Sequence, residues 1–354
     1  MKHWKILVGI AVSIIFLYFA FGNIDWSKLW GAIIEVDKLK ASMVIVIVGV
    51  MLLLRGYRWK FFLKPVKKIG VIPLFWSTAI GFGVNNTMPA RLGEVARAYS
   101  IHKKANIKFG EAFGTIVVER LYDTFSILVL FVVCLFVFDF PDLSGLLGRS
   151  QTEIAILLGI LVAMLLLIIV LLKWQTDRML WIGDKVLLVL FSFLFFLSRE
   201  GRDRWRNRII ELMRSFIDGL TQSTNPLEMI WIVVLSFTLW IISAFTVHLC
   251  IDAFHIQFTV AQTMVVLMSM VIAVSIPAAP GYAGTYHYLA SSALMLVMDM
   301  PKEQALSIAT VIHALNYIPQ TALGLSGLFY EGIRFSDVQD AADKVEHGNE
   351  EAIA

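Results

Sequence analysis

Long apolar runs recur along the whole chain, at residues 6–21, 41–54, 113–138, 154–172, 227–251 and 305–328. Lipid offers the backbone no hydrogen-bond partner, so a segment inside it must be a helix or a strand of a closed barrel. Runs of this length without two-residue alternation are helices. Charged residues make up 16% of the 354 residues and hydrophobic ones 58%, where a soluble domain carries about a quarter charged. The chain is read as an all-α polytopic membrane protein with about six full spans. The net charge of +3 carries little information, because topology follows the placement of Lys and Arg rather than their sum. Cys134 and Cys250 both lie in apolar runs and read as small buried hydrophobes. No phosphate loop, zinc spacing or nucleophile elbow occurs, so the sequence calls for no cofactor and no metal.

Residues 1–5 are basic, which places the N-terminus in the cytoplasm. A cleaved signal peptide is the competing reading of the first run, and the polytopic remainder favours a retained span. Trp26, Leu29, Trp30, Ile33 and Ile34 share one face at helical spacing, the pattern of an interfacial amphipathic helix. The second run, 41–54, returns to a basic cluster of Arg55, Arg58, Lys60, Lys64, Lys67 and Lys68. Such a cluster either fixes topology or attracts anionic head groups, and Arg55 and Arg58 lie nearest the membrane.

The run 71–88 is short and breaks at Asn85-Asn86-Thr87-Met88-Pro89, after which come Arg91, Glu94 and Arg97. Pro89 stops the incoming helix. A new helix from Ala90 or Arg91 would set Arg91, Glu94 and Arg97 on adjoining turns. Free amides at its start beside two guanidinium groups suit a phosphate; a charged loop followed by a surface helix is the plainer reading. Basic residues flank both sides, which predicts a hairpin entering and leaving from the cytoplasm. In the third long run, Glu119, Arg120 and Asp123 form one polar face. It is either a self-satisfied ion cluster or part of a cavity, and in both cases it faces protein or water.

Residues 180–197 are apolar apart from Asp184 and Lys185, and the arginines that follow, Arg199 to Arg214, argue against a crossing. An interfacial or re-entrant helix is expected there, followed by a cytoplasmic surface without any nucleic-acid motif. A second break, Pro277 to His287, carries Pro280, Gly281 and Gly284 and predicts a second re-entrant hairpin, entered from outside. His287 just past it is a candidate ligand contact or a packing residue. His313, Asn316, Tyr317 and Gln320 make a polar stripe beside Pro319, explained equally by interhelical hydrogen bonds and by a substrate path. The acidic residues 334–354 read as a loose cytoplasmic tail. The two breaks fall in corresponding places of halves 1–173 and 174–333 with opposite polarity, the pattern of an inverted-topology repeat whose broken helices meet near the midplane.

Arg58-Trp59, the block Asn86-x-x-Pro89-x-Arg91-x-Gly93-Glu94-x-x-Arg97, the cluster Glu119-Arg120-x-x-Asp123 and Pro280-Gly281-x-x-Gly284 resemble the lysylphosphatidylglycerol synthase transmembrane-region family, also called flippase-like or UPF-type membrane proteins. The resemblance runs to about residue 333 and implies a prokaryotic cytoplasmic-membrane protein that moves a lipid between leaflets. In the two-part synthase a soluble domain makes the aminoacyl lipid; here only a short polar tail follows the last run. Many members carry a Glu where this chain has His287. The resulting expectation is a translocase for an anionic head group, bound by Arg58, Asn85, Asn86, Arg91, Glu94, Arg97, Glu119, Arg120, Asp123, Pro280, Gly281, Gly284, His287 and Asn316. The alternatives are a membrane-embedded lipid-modifying enzyme using Glu94 or Asp123 as base, and a non-transporting partner of a separate lipid-modifying enzyme. No nucleic acid is expected as a partner.

Overall fold

The computed structural model describes residues 3–22, 24–88, 91–138, 150–174, 176–192, 203, 206, 210, 226–276 and 278–346. Regular structure among them is helical throughout. Helix α1 (His3–Phe21) is followed by α2 (Trp26–Ile34), and the two meet at a bend of 87°. Asp25 caps α2 by accepting from the amides of Ser27 and Lys28. Leu29 is buried against Ala20 and Leu306, while Trp26, Trp30 and Ile34 are exposed. One face of α2 is thus held by the protein and the other left apolar and uncovered among the described residues.

Helix α3 (Lys38–Leu63) starts on an Asp37 cap and continues beyond the apolar run through Arg55, Arg58 and Lys60, ending before Lys64. The expectation of a juxtamembrane surface patch therefore fails for Arg58, which is 0% exposed. The reason is tertiary: carboxylates on another helix meet its guanidinium, so the helix continues without an unpaired charge. Helices α4 (Val71–Thr87) and α5 (Gly93–Ala105) form the first hairpin. They press together at Gly81 and Gly93, where a Cβ on Gly93 would stand 2.0 Å from the Gly81 carbonyl oxygen. Only glycine permits that approach.

Helix α6 (Phe109–Val137) is followed by α7 (Gln151–Trp174), α8 (Thr176–Ser192) and α9 (Pro226–Asp252). Helices α10 (Val260–Ser275) and α11 (Thr285–Met298) pack on each other as the second hairpin, with a single 3-10 turn at Pro280–Tyr282 between them. Helix α12 (Lys302–Glu331) contains Pro319 and packs on both hairpins. It meets α4 where a Cβ on Gly83 would lie 2.7 Å from the Gly324 Cα.

Among the described residues, α3, α6 and α9 are each long and apolar enough to cross a membrane, and the bent pair α1–α2 adds a fourth candidate. The described apolar part of α7 is short, and α12 with its polar stripe falls outside that set. The arginine-rich stretch 199–222 lies almost entirely outside the described residues; Arg206 within it pairs with Asp184 of α8 at 3.0 Å.

The tail is not loose over its first part. Residues 335–346 form α13 (Phe335–Glu346), packed on α5 with Val338, Ala341 and Ala342 buried. Acidic composition suggested disorder, but the apolar residues fall on one helical face and that face has a partner in Leu92, Ala96, Leu328 and Ile333.

Candidate functional site

The polar centre is built on four helices. From α3, Arg58 donates to Asp123 Oδ1 at 2.6 Å, to Ser236 Oγ on α9 at 2.8 Å and to Glu119 Oε1 at 3.0 Å. From α5, Arg97 donates to both Glu119 oxygens, at 3.1 and 2.8 Å, the fork geometry that suits guanidinium to carboxylate. The Arg97 guanidinium also lies 3.8 Å from the centroid of Trp59, whose indole N–H donates to Thr115 Oγ1 at 2.9 Å. Glu119 is 0% and Arg97 3% exposed. This inner part is closed to solvent and paired through the terminal guanidinium nitrogens, while the Nε of Arg58 and of Arg97 have no hydrogen-bond partner.

The outer part is looser. Arg55 and Arg120 each stand 3.6 Å from Asp123 Oδ2, and Arg120 is 3.8 Å from Glu94 Oε1. None of these is within direct hydrogen-bond length, and Asp123 Oδ2 has no hydrogen-bond partner although buried. Arg120 is 41% exposed. Four arginines (55, 58, 97, 120) thus face three carboxylates (94, 119, 123), a surplus of one positive charge.

The two chain breaks converge beside this network. Asn85 fastens the first: its Oδ1 accepts from the Gly93 amide at 2.7 Å and its Nδ2 donates to Glu94 Oε2 at 3.3 Å. Asn86 Nδ2 donates to Thr321 on α12 at 2.9 Å, and its carbonyl accepts from Tyr317 OH at 3.0 Å. At the second break Gly281 (φ 71°) lies so close to Tyr317 that a Cβ would meet its ring at 2.6 Å. His313 Nε2 donates to the Gly281 carbonyl at 2.9 Å. Between the breaks, the Arg91 guanidinium sits 5.7 Å from the ring centroid of Tyr282. Helix α12 is therefore a strut to which both breaks are tied.

The predicted site residues divide accordingly. Arg58, Glu94, Arg97, Glu119, Arg120 and Asp123 form one network, with Asn85 attached through Glu94. The expectation that Arg91 opens a helix is corrected: α5 begins at Gly93, and Arg91 is in the left-handed region at φ 54°. Only Glu94 and Arg97 share adjoining turns, and the Gly93 amide is already taken by Asn85. Gly284 serves a close approach, since a Cβ there would stand 2.5 Å from the Ser13 carbonyl oxygen. Pro280 opens the 3-10 turn. Asn316 donates to Ile312 of its own helix. His287 is buried among the rings of Phe21, Tyr286 and His313, away from the arginines, and its Nδ1 has no partner. Sequence reasoning missed Ser236, which no spacing marks, and Tyr282, hidden inside the Pro-Gly-x-x-Gly turn.

Residues 6–324 match the family model described as Lysylphosphatidylglycerol synthase TM region. A UPF0104 membrane protein of Methanothermobacter thermautotrophicus is 24% identical over 346 residues, covering 95% of this chain and 98% of that one. UPF0104 membrane protein MJ1595 of Methanocaldococcus jannaschii is 24% identical, covering 91% and 94%. A shorter match, 27% over 129 residues, joins 36% of this chain to 20% of Glycosyltransferase AglD from Haloferax volcanii.

Proposed function

The chain belongs to the Lysylphosphatidylglycerol synthase TM region family, and from that premise we propose that it is a lipid translocase of flippase type. Its cargo is a phosphate-bearing lipid, an (aminoacyl-)phospholipid or a polyprenyl-phosphate lipid, crossing a prokaryotic cytoplasmic membrane. In this reading both termini are cytoplasmic, about six spans cross, and the two broken hairpins re-enter from opposite faces.

One observation carries the proposal: a charge surplus beside two converging chain breaks. Charged groups at membrane depth are costly and persist when paired or when they line a functional path. Here the inner pairs are complete, while Arg120 is held at 3.6 and 3.8 Å and Arg91 makes no ion pair among the described residues. A phosphate between Arg91 and Arg120 supplies the missing negative charge, with bidentate geometry that guanidinium favours. Glu94, at 3.8 Å from Arg120, yields that arginine when the anion arrives. Arg58, Arg97 and Glu119 then act as the rigid floor of the site.

Asp123, one of the two candidate bases, is poorly placed to act as one, because Arg58 holds its Oδ1 at 2.6 Å and Arg55 and Arg120 each stand 3.6 Å from its Oδ2. That weighs against the embedded enzyme. The match to a protein named a glycosyltransferase supports one rival, a membrane part that presents lipid to a separate transferase. Native mass spectrometry of the purified protein separates the phosphate reading from the rest. Wild type is expected to retain a phosphate-bearing lipid that the Arg91→Ala, Arg120→Ala double variant loses. Equal retention by both removes the arginines from the site.

A further inference from the structure

We propose, resting on the phosphate reading above, that Tyr282 is the positioning residue for Arg91. Arg91 lies outside α5, on a left-handed backbone at φ 54°, where neither helix geometry nor a carboxylate partner among the described residues fixes its side chain. What its guanidinium meets is Tyr282: the ring, 5.7 Å to the centroid, within the range of a cation–π contact, and the phenol oxygen at its edge.

Tyr282 is itself held. Its amide donates to the Ala279 carbonyl at 3.0 Å, closing the turn, and its backbone is also left-handed at φ 55°. The preceding Gly281 is clamped from α12, by His313 on its carbonyl and by the Tyr317 ring against its Cα. Each break thus contributes a non-glycine residue in a disfavoured conformation, and those two residues touch each other. Disfavoured backbone on both sides of one contact marks a geometry that the surrounding fold imposes.

The chemistry of the ring explains why an aromatic suits this place. A carboxylate would hold Arg91 more tightly but would neutralise it and compete with an incoming phosphate. An aromatic face orients a guanidinium and leaves its charge and its N–H donors available. The half-buried Tyr282 phenol also lies within reach of the charges of Arg91, Glu94 and Arg120, so the ring borders the site where the phosphate is placed.

The test is binding of dihexanoyl phosphatidylglycerol to the full chain in neutral detergent, by calorimetry. Tyr282→Phe keeps the ring and is expected to bind within about twofold of wild type. Tyr282→Asn removes the ring but accepts the left-handed backbone, and is expected to bind roughly 3- to 10-fold more weakly. Tyr282→Gly serves as a second ring-free variant at ease in that conformation. Tyr282→Asn added to Arg91→Ala is expected to cost nothing further, because the ring acts only through the arginine. If the ring-free variants bind like wild type while Arg91→Ala does not, or if the two losses add, the positioning role is overturned and the phosphate reading stands. If Arg91→Ala binds the probe as wild type does, or wild type does not bind it, the phosphate reading itself falls.

Discussion

Replacing Glu119 by Ala tests whether the inner ion cluster is a structural floor. Glu119 is fully buried and accepts three charged hydrogen bonds, one from Arg58 and two from Arg97. Without it Arg58 keeps Asp123 and Ser236, but Arg97 retains only the face of Trp59. Breaking a buried pair from one side costs about 3–5 kcal/mol, since the surviving charge stays buried. Partners found by the unfolded chain within a bilayer or micelle shift the estimate toward about 3 kcal/mol. Arg120→Ala is the contrast: its contacts are long and it is 41% exposed, so the loss should stay under about 1 kcal/mol. Both are measured by reversible unfolding in mixed micelles titrated with dodecyl sulfate. If Glu119→Ala costs no more than Arg120→Ala, the division into a closed inner and an open outer cluster is wrong.

Further expectations follow from packing and charge geometry. Gly93→Ala should prevent the α4–α5 hairpin from closing, because its Cβ would meet the Gly81 carbonyl at 2.0 Å. Gly114→Ala in α6, with nothing within 4 Å, should instead stabilise by about 0.5–1 kcal/mol in the same unfolding assay. Val338→Asp buries a charge in the apolar seam under α13, and limited proteolysis should then cut within residues 335–346, which wild type protects. Arg58→Lys should not restore what Arg58→Ala loses, as a single ammonium does not reproduce the planar fork joining Glu119, Asp123 and Ser236; thermal unfolding of the two variants compares them directly.

Much of this arrangement was legible in the chain, and the failures have identifiable causes. The break between Thr87 and Gly93 and the one at Pro280-Gly281 were visible because proline and glycine act locally, whatever packs around them; Pro89 itself lies outside the described residues. The polar face of Glu119, Arg120 and Asp123 was visible from helical spacing alone. Which arginine each carboxylate binds was not, since Arg58 and Asp123 are joined across 65 positions. Arg58 stands in sequence within one basic cluster with Lys60 and Lys64, read either as a topology signal or as a head-group patch; only its tertiary contact with Glu119 and Asp123 sets it apart from them. The start of α5 was misplaced by two or three residues because Asn85 caps it from the preceding helix, a long-reach cap that no local pattern encodes. The order of α13 escaped composition for a similar reason: Val338 and Ala342 suffice for a short apolar seam once α5 and α12 supply the other side, with Ala341 packed in the neighbouring cluster beside Ala98 and Ile101.

The central claim is that a phosphate head group passes between leaflets at Arg91 and Arg120. It is tested most directly by leaflet exchange in proteoliposomes, using a labelled phospholipid beside a labelled neutral glycolipid with the same acyl chains. Wild type is expected to move the phospholipid and not the glycolipid, and Arg91→Ala is expected to move neither. Exchange of both lipids at the same rate, or phospholipid exchange that persists in Arg91→Ala, would contradict the account.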